Sequence, residues 1–374
     1  MNESRGNAQT RFPLLDILRG FAILGVVYCH LIALVVSEPK FETGSKNENF
    51  IYFMQLGRYG VELFFFISGY LLSKLYAPAE QTFSFKQFLA RRLFRILPLW
   101  VLFGVLGFLE FRFFNFGPWV GLSSSPNDYL GIGVMTLTFS LYFSSKYWSL
   151  IPGGWSIQTE IFQYYLFPWL KKTSTRYQSI ICLIWLYLII NFLKPLFPNY
   201  SIPWNVITAV QNLSLVPSVL FFLAGIIIAE INWDSIRIED FQRHLKERYF
   251  LVVTVLISLS LSFFTNQVQR NIAEGIFMVL LYSTLASFFS NFSTLRKIFS
   301  WIGTHSYFIY FFHFQVILLL AHFAKVRESN PFYGNLYLET LSLLILVMIL
   351  CVPMAELSMR LLEKPLIRYG HRIS

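Results

Sequence analysis

Apolar residues in this chain fall into long, nearly unbroken runs, not into the short alternations of a soluble core. The runs lie near residues 13–36, 58–77, 95–114, 129–145, 155–170, 177–194, 206–230, 249–265, 272–290, 304–324 and 336–361. A helix rising about 1.5 Å per residue needs about 20 apolar residues to cross a hydrocarbon layer about 30 Å thick. Each run therefore predicts a membrane helix. Basic residues gather in the short segments between them: Arg5 and Arg11, then Lys74 to Arg95, then Lys171 to Arg176, then Arg296 with Lys297, then the tail with Lys364, Arg368 and Arg372. Basic loops stay on the cytoplasmic side. All of them do so if the chain makes about ten crossings with both termini cytoplasmic. One of the runs 129–145 and 155–170 is then re-entrant or interfacial. The linker "KYWSLIPGGWS" between them, rich in Pro, Gly and Trp, suits a segment that lines a protein cavity.

The polar stretches 37–57 and 231–248 are loop-sized, and no repeat is visible. The expectation is an all-α polytopic membrane protein forming a single integral-membrane domain over residues 1–374.

Composition narrows the class. Of 374 residues, 55% are hydrophobic, 19% aromatic and only 13% charged, against about 25% charged in soluble domains. Mean hydropathy is +0.55. A soluble enzyme, a disordered chain and a secreted disulfide scaffold are excluded. The net charge of +10 sits in the inter-run segments, which makes it an orientation signal and not a nucleic-acid surface. Cys29, Cys182 and Cys351 all lie inside apolar runs and form no CxxC pair, so neither a zinc site nor a disulfide framework is expected. The N-terminal run carries Asp16 and Arg19 and continues to Val36, so it reads as a span and not as a cleavable leader.

Ionisable residues inside spans are costly and mark candidate sites. The first run, "RFPLLDILRGFAILGVVYCHLIAL", places Arg19 and His30 on nearly the same helical face, about 16 Å apart along the axis. Asp16 falls near that face. Snorkelling of Arg19 and a bond from His30 to a neighbouring helix is the structural alternative. In the second run, Glu62 stands at what reads as its outer end, and Ser68-Gly69 fits a small-residue packing site. Arg91, Arg92 and Arg95 precede a helix that Pro98 helps to start. Arg92 and Arg95 share a face, a fork suited to phosphate, although orientation alone also explains the cluster. Glu160 enters an apolar helix beside Gln158, Gln163, Tyr164 and Tyr165 and needs a partner. The run "WIGTHSYFIYFFHFQVILLLAHF" adds His305, Tyr307, Tyr310 and His313, with His322 read as interfacial. There is no metal-ligand spacing, no phosphate loop and no serine-hydrolase elbow.

Taken in order, these pieces resemble the membrane acyltransferase 3 family. The resemblance runs from "LLDILRGFAILGVVYCH" to "ELSMRLLEKPLIRYG". The family's basic residue, ten intervening residues and histidine are met by Arg19 and His30. "GVELFFFISGY" supplies its acid and Ser-Gly pair, with Glu62 where Asp is commoner. "RRLFRILP" supplies Arg92 and Arg95. "GGWSIQTEIF" supplies Trp155, Ser156 and Glu160, without the leucine more usual after the serine. Ser306, Tyr307, Tyr310 and His313 meet the late pattern. The chain resembles the stand-alone type without a fused esterase-like domain.

The resemblance implies transfer of an acyl group, usually acetyl from acetyl-CoA, to a hydroxyl of a carbohydrate or lipid-linked glycan. It implies no permanently bound cofactor and no metal. Arg19, Arg92 and Arg95 are the expected phosphate-binding residues, His30 the general base and Glu160 the group that orients it. Ser68, Trp155, Ser156, Tyr310 and His313 are further candidates. Direct transfer is the simpler chemistry, and a covalent acyl-histidine relay is the alternative. The expected partners are acyl-CoA, the glycan acceptor and membrane lipids, with no nucleic acid, and the expected setting is the bacterial cytoplasmic membrane. A transporter or flippase for a glycan or small anion is the competing reading. The missing inverted repeat and the ordered motifs stand against it.

Overall fold

The computed structural model describes residues 13–35, 46–76, 84–114, 131, 153–172, 215–230, 267–322, 331–332 and 335–373. The runs predicted at 177–194 and 249–265, and that at 129–145 apart from residue 131, lie outside the described residues. All regular structure among the described residues is helical. The helices are α1 (Pro13–Val35), α2 (Lys46–Gln55), α3 (Gly60–Tyr76), α4 (Phe85–Phe114) and α5 (Trp155–Lys172). They continue with α6 (Leu215–Glu230), α7 (Gln267–Ser290), α8 (Ser293–Thr304), α9 (Ser306–His322), α10 (Leu336–Ser358) and α11 (Lys364–Ile373). Among the described residues, four helical stretches are long and apolar enough to cross a membrane: Pro13–Ala33, Lys46–Tyr76, Ala273–Ser290 and Leu336–Arg372. A fifth forms if the bent pair α8–α9 counts as one span. The protein is an integral membrane protein of the helical type.

The hub is α1, which packs against α2, α3, α7, α8, α9 and α10. Its Ile23, Val26, Val27 and Leu31 are fully buried, because this apolar stretch of α1 faces neighbouring helices. α3 and α6 run antiparallel and pack backbone against backbone. A Cβ on Gly69 would overlap the Phe222 carbonyl, and one on Gly225 would overlap that of Phe66. In lipid, helices associate through such backbone approach, so Gly69 is the packing residue that the sequence suggests. Gly69→Val and Gly225→Val are each expected to destabilise the bundle by at least about 1–3 kcal/mol, the usual cost of overpacking. Thermal unfolding in detergent checks this, and an unchanged midpoint in both would refute it.

Three local expectations change. Residues 46–55, read as loop, form α2 and continue through a tight 3-10 turn, Leu56–Tyr59, into α3. The turn enters the bundle because Gly57 fits against Gly25 of α1. Glu62 is therefore not at a wet outer end; it is 6% exposed. Pro98 does not start a helix either, and α4 runs through it. Proline inside a membrane helix is tolerated where neighbours satisfy the disturbed backbone. A separate bond near this turn, from Tyr307 Oη to the Ile96 carbonyl at 2.9 Å, ties α4 to α9.

The run at 304–324 also has a sharper beginning than predicted. α8 meets α9 at 77°, with the break at His305. That residue is held by its own helix: its Nδ1 donates to the Trp301 carbonyl at 2.8 Å, and Trp301 stacks on the ring at 3.9 Å. Phe299 and Gly303 of α8 lie against Gly20 and Asp16 of α1.

Candidate active site in the helix bundle

Where α1, α3, α4, α5 and α9 converge, they leave a narrow cavity of about 100 Å³. α1 supplies Arg19, and α4 supplies Arg92 and Arg95. α3 contributes Ser68, α5 contributes Ser156, Glu160 and Tyr164, and α9 contributes Ser306, Tyr307 and Tyr310. Seven of the residues singled out from sequence thus line one space: Arg19, Ser68, Arg92, Arg95, Ser156, Glu160 and Tyr310. Ser68 and Gly69 divide their roles, the serine on the cavity and the glycine on the α6 crossing.

Charge gathers at one end. Arg19 is paired with Asp16 at 3.1 Å, one turn back on α1. Glu160 accepts a short hydrogen bond from Tyr164 Oη and lies within electrostatic range of Arg95, Arg92 and Arg19. Three guanidinium groups against two carboxylates leave this end net positive.

The other end is shaped by the turn that starts α5. Gly153 has φ +73°, a conformation that glycine adopts without strain. Its carbonyl accepts from Ser156 Oγ at 2.9 Å and from Tyr310 Oη at 3.0 Å, which pins the start of α5 to α9. Trp155, next in the chain, is partly buried and packs against the main apolar cluster; it does not line the cavity.

His30 and His313 do not line the cavity either, but they meet each other just beyond it. His30 Nδ1 and His313 Nε2 are 3.1 Å apart. Tyr310, on the cavity wall, precedes His313 by one turn, with ring centroids 6.1 Å apart. The roles of the ring nitrogens follow from one carbonyl. His313 Nδ1 is 2.8 Å from the Ile309 carbonyl, which can only accept, so Nδ1 carries the proton. In the neutral pair, His313 Nε2 then holds a lone pair and must accept from His30 Nδ1–H. This leaves the lone pair of His30 on Nε2, the state a general base requires. The sequence expects Glu160 to orient His30; the structure puts His313 in that position. The carboxylate is drawn instead to three arginines and a tyrosine, which stabilise it more than a neutral imidazole would.

Tyr164, Ser306 and Tyr307 also line the cavity; the sequence names Ser306 and Tyr307 only as part of the late pattern and Tyr164 only as a neighbour of Glu160, without a role. Tyr164 had a signal, since it stands four residues after Glu160 and so shares its face. A second buried acid, Glu274, had none. It is 1% exposed and accepts from Tyr52 Oη at 2.6 Å, Tyr59 Oη at 2.7 Å and Arg58 Nη2 at 3.1 Å. Glu274 sits at the edge of its apolar run, where an acid is unremarkable in sequence. This cluster ties α2 and the turn after it to α7, and stands apart from the cavity lining. Among the described residues, no group of three or more His, Cys, Asp or Glu is placed to hold a metal ion.

Residues 12–356 match the family described as an acyltransferase domain. The chain belongs to the acyltransferase 3 family. The transporter alternative is not favoured by that membership. Among similar proteins is YrhL of Bacillus subtilis (strain 168), named as a candidate peptidoglycan O-acetyltransferase: it is 25% identical, over 96% of this chain and 55% of its own length. The O-acetyltransferase OatA of Staphylococcus aureus (strain NCTC 8325 / PS 47) is 24% identical, over 96% and 58%. The peptidoglycan O-acetyltransferase OatA of Listeria monocytogenes serovar 1/2a is 23% identical, over 96% and 56%. This acyltransferase-family chain spans little more than half the length of these relatives. No solved structure matches it.

Proposed function

We propose that this protein is a membrane-bound O-acyltransferase of the bacterial cytoplasmic membrane, with both termini cytoplasmic, which moves acetyl from acetyl-CoA to a hydroxyl of a cell-wall glycan. The carrying observation is the convergence of Arg19, Arg92 and Arg95 on one narrow cavity that leads, past Tyr310, toward the His30–His313 pair. The relatives named as peptidoglycan O-acetyltransferases support the acceptor class.

In this reading the arginines grip the donor's diphosphate. Paired guanidinium groups hold phosphate oxygens in fixed geometry and in a partly desolvated site. Glu160 and Asp16 keep those arginines oriented and limit their mutual repulsion. The acceptor oxygen attacks the thioester carbon while His30 Nε2 takes the hydroxyl proton. The carbon–sulfur bond then breaks, and the coenzyme A thiolate leaves and takes up a proton from the imidazolium. His313 holds the imidazole in the reactive tautomer and stabilises its charged form.

The test uses membranes given acetyl-labelled acetyl-CoA and cell-wall glycan. Label should appear as alkali-labile ester on the glycan. Arg95→Lys keeps the charge but loses the planar fork, so it is expected to raise the KM for acetyl-CoA about tenfold at little cost in kcat. If Arg92→Lys and Arg95→Lys both leave KM at the parent value, the cluster serves orientation alone and the donor-binding role fails.

A further inference from the structure

The helical rod Leu336–Arg372 is 37 residues long, whereas about 20 residues cross a bilayer core. Its last part, the π turn Met359–Glu363 and α11, therefore projects beyond the apolar layer. The first part of the 30-residue α4 projects on the same side, because α11 packs along it. Gly370 lies against Phe94, and the Tyr369 and Phe94 rings meet edge-on at 5.4 Å.

Both projecting segments are cationic. α4 carries Arg91, Arg92 and Arg95. α11 carries Lys364, Arg368, His371 and Arg372, whose spacing puts them on one helical face. His371 lies within electrostatic range of Arg91 and Arg92. Among the described residues, the acids near these segments are Glu363, which is buried, accepts from Ser358 Oγ at 3.1 Å and lies within range of Arg95, Glu356, which pairs with Arg360 at 2.6 Å, and Glu160, within range of Arg92 and Arg95. Packed side by side, the two segments place Arg91, Lys364, Arg368, His371 and Arg372 on one surface, which attracts a multiply charged anion. Arg92 links this patch to the cavity that it also lines, and its buried Nε has no hydrogen-bond partner.

We propose that α11, with Arg91, forms a second anion subsite for a phosphate monoester, outside the cavity mouth. Resting on the donor reading above, its ligand is the ribose 3′-phosphate of acyl-CoA, while Arg92 and Arg95 hold the diphosphate. A monoester carries close to two negative charges at neutral pH, which matches a patch with this cation excess.

The experiment compares binding of coenzyme A and of dephospho-coenzyme A, which lacks the 3′-phosphate, to the full chain in nanodiscs at physiological ionic strength. The parent protein should prefer coenzyme A by about tenfold or more. Arg91→Gln, and the double variant Arg368→Gln with Arg372→Gln, should each collapse this preference toward unity. Affinity for dephospho-coenzyme A, which also reports folding, should change far less. A preference that survives in both variants overturns the subsite. The same comparison runs in purely zwitterionic discs and in discs containing phosphatidylglycerol. If the variants lose only a phosphatidylglycerol-dependent stability and keep the coenzyme preference, the patch binds lipid headgroups and the inference is wrong. If the parent binds coenzyme A and its dephospho form equally, the subsite fails while the donor reading stands. If it binds neither, the donor reading itself fails and the subsite falls with it.

Discussion

His30→Gln is expected to lower acyl transfer by about 10²–10⁴-fold, the range typical for loss of a positioned acid–base group, with donor affinity nearly unchanged. Glutamine preserves approximate volume and can still hydrogen-bond to His313, but it cannot take a proton at neutral pH. A packing histidine would tolerate this change better than His30→Ala, whereas a general base is lost with either. Donor affinity should persist because Arg19, Arg92 and Arg95 line the cavity and His30 does not. Labelled acetyl transfer, with expression matched and coenzyme A binding measured in parallel, decides the matter. Transfer by His30→Gln within a few-fold of the parent would remove His30 from the mechanism and move the search to His313.

The second large effect concerns His313, a positioning residue that acts through His30. Its Nε2 accepts from His30 Nδ1 in the neutral pair, and its own proton goes to the Ile309 carbonyl. His313→Phe removes the acceptor and frees His30 to adopt the other tautomer, so a loss of about 10²–10⁴-fold is expected. His313→Gln offers a side-chain carbonyl that can accept from His30, and should retain much more activity than phenylalanine. The fall should be in kcat, with KM for the donor held, because neither substitution touches the arginines. A merely structural role predicts a different order: phenylalanine, apolar and of similar size at a fully buried position, would then be the milder change. Equal activity in the two variants would also end the positioning role.

These expectations draw on sequence and structure unequally. The membrane class was legible at once, because crossing a hydrocarbon layer imposes length and composition on each helix separately. Arg19 and His30 could be placed on one face because both belong to a single helix of known pitch. Arg92 with Arg95, and Tyr310 with His313, were legible for the same reason. The α3–α6 crossing was half legible. Gly69 marks a place where a helix can approach, but only its meeting with Gly225 shows which helix does.

What failed depended on neighbours that are distant in the chain. Glu62 read as a cheap acid at a membrane surface; the turn 56–59 carries it inside the bundle because Gly57 fits against Gly25. Glu160 read as an acid in lipid that needs a partner, with His30, His313 and an arginine all available; the structure gives it the arginines and Tyr164. Choosing among the available cations and imidazoles requires knowing which helices adjoin α5. Glu274 gave no signal, since its three donors come from residues more than 200 positions earlier.

By itself, then, the sequence determined the helical membrane architecture, the cationic and polar faces of individual helices, and the set of residue types available for chemistry. Helix period and hydrocarbon thickness act locally, so they can be read locally. The tertiary structure alone decided that Arg19, Arg92, Arg95 and Glu160 share one cavity, that His313 and not Glu160 is the hydrogen-bond partner of His30, and that α11 lies along α4. Those are pairings between helices, and in a membrane they are selected by backbone approach and hydrogen bonding among many equally apolar surfaces, a choice that no single helix records.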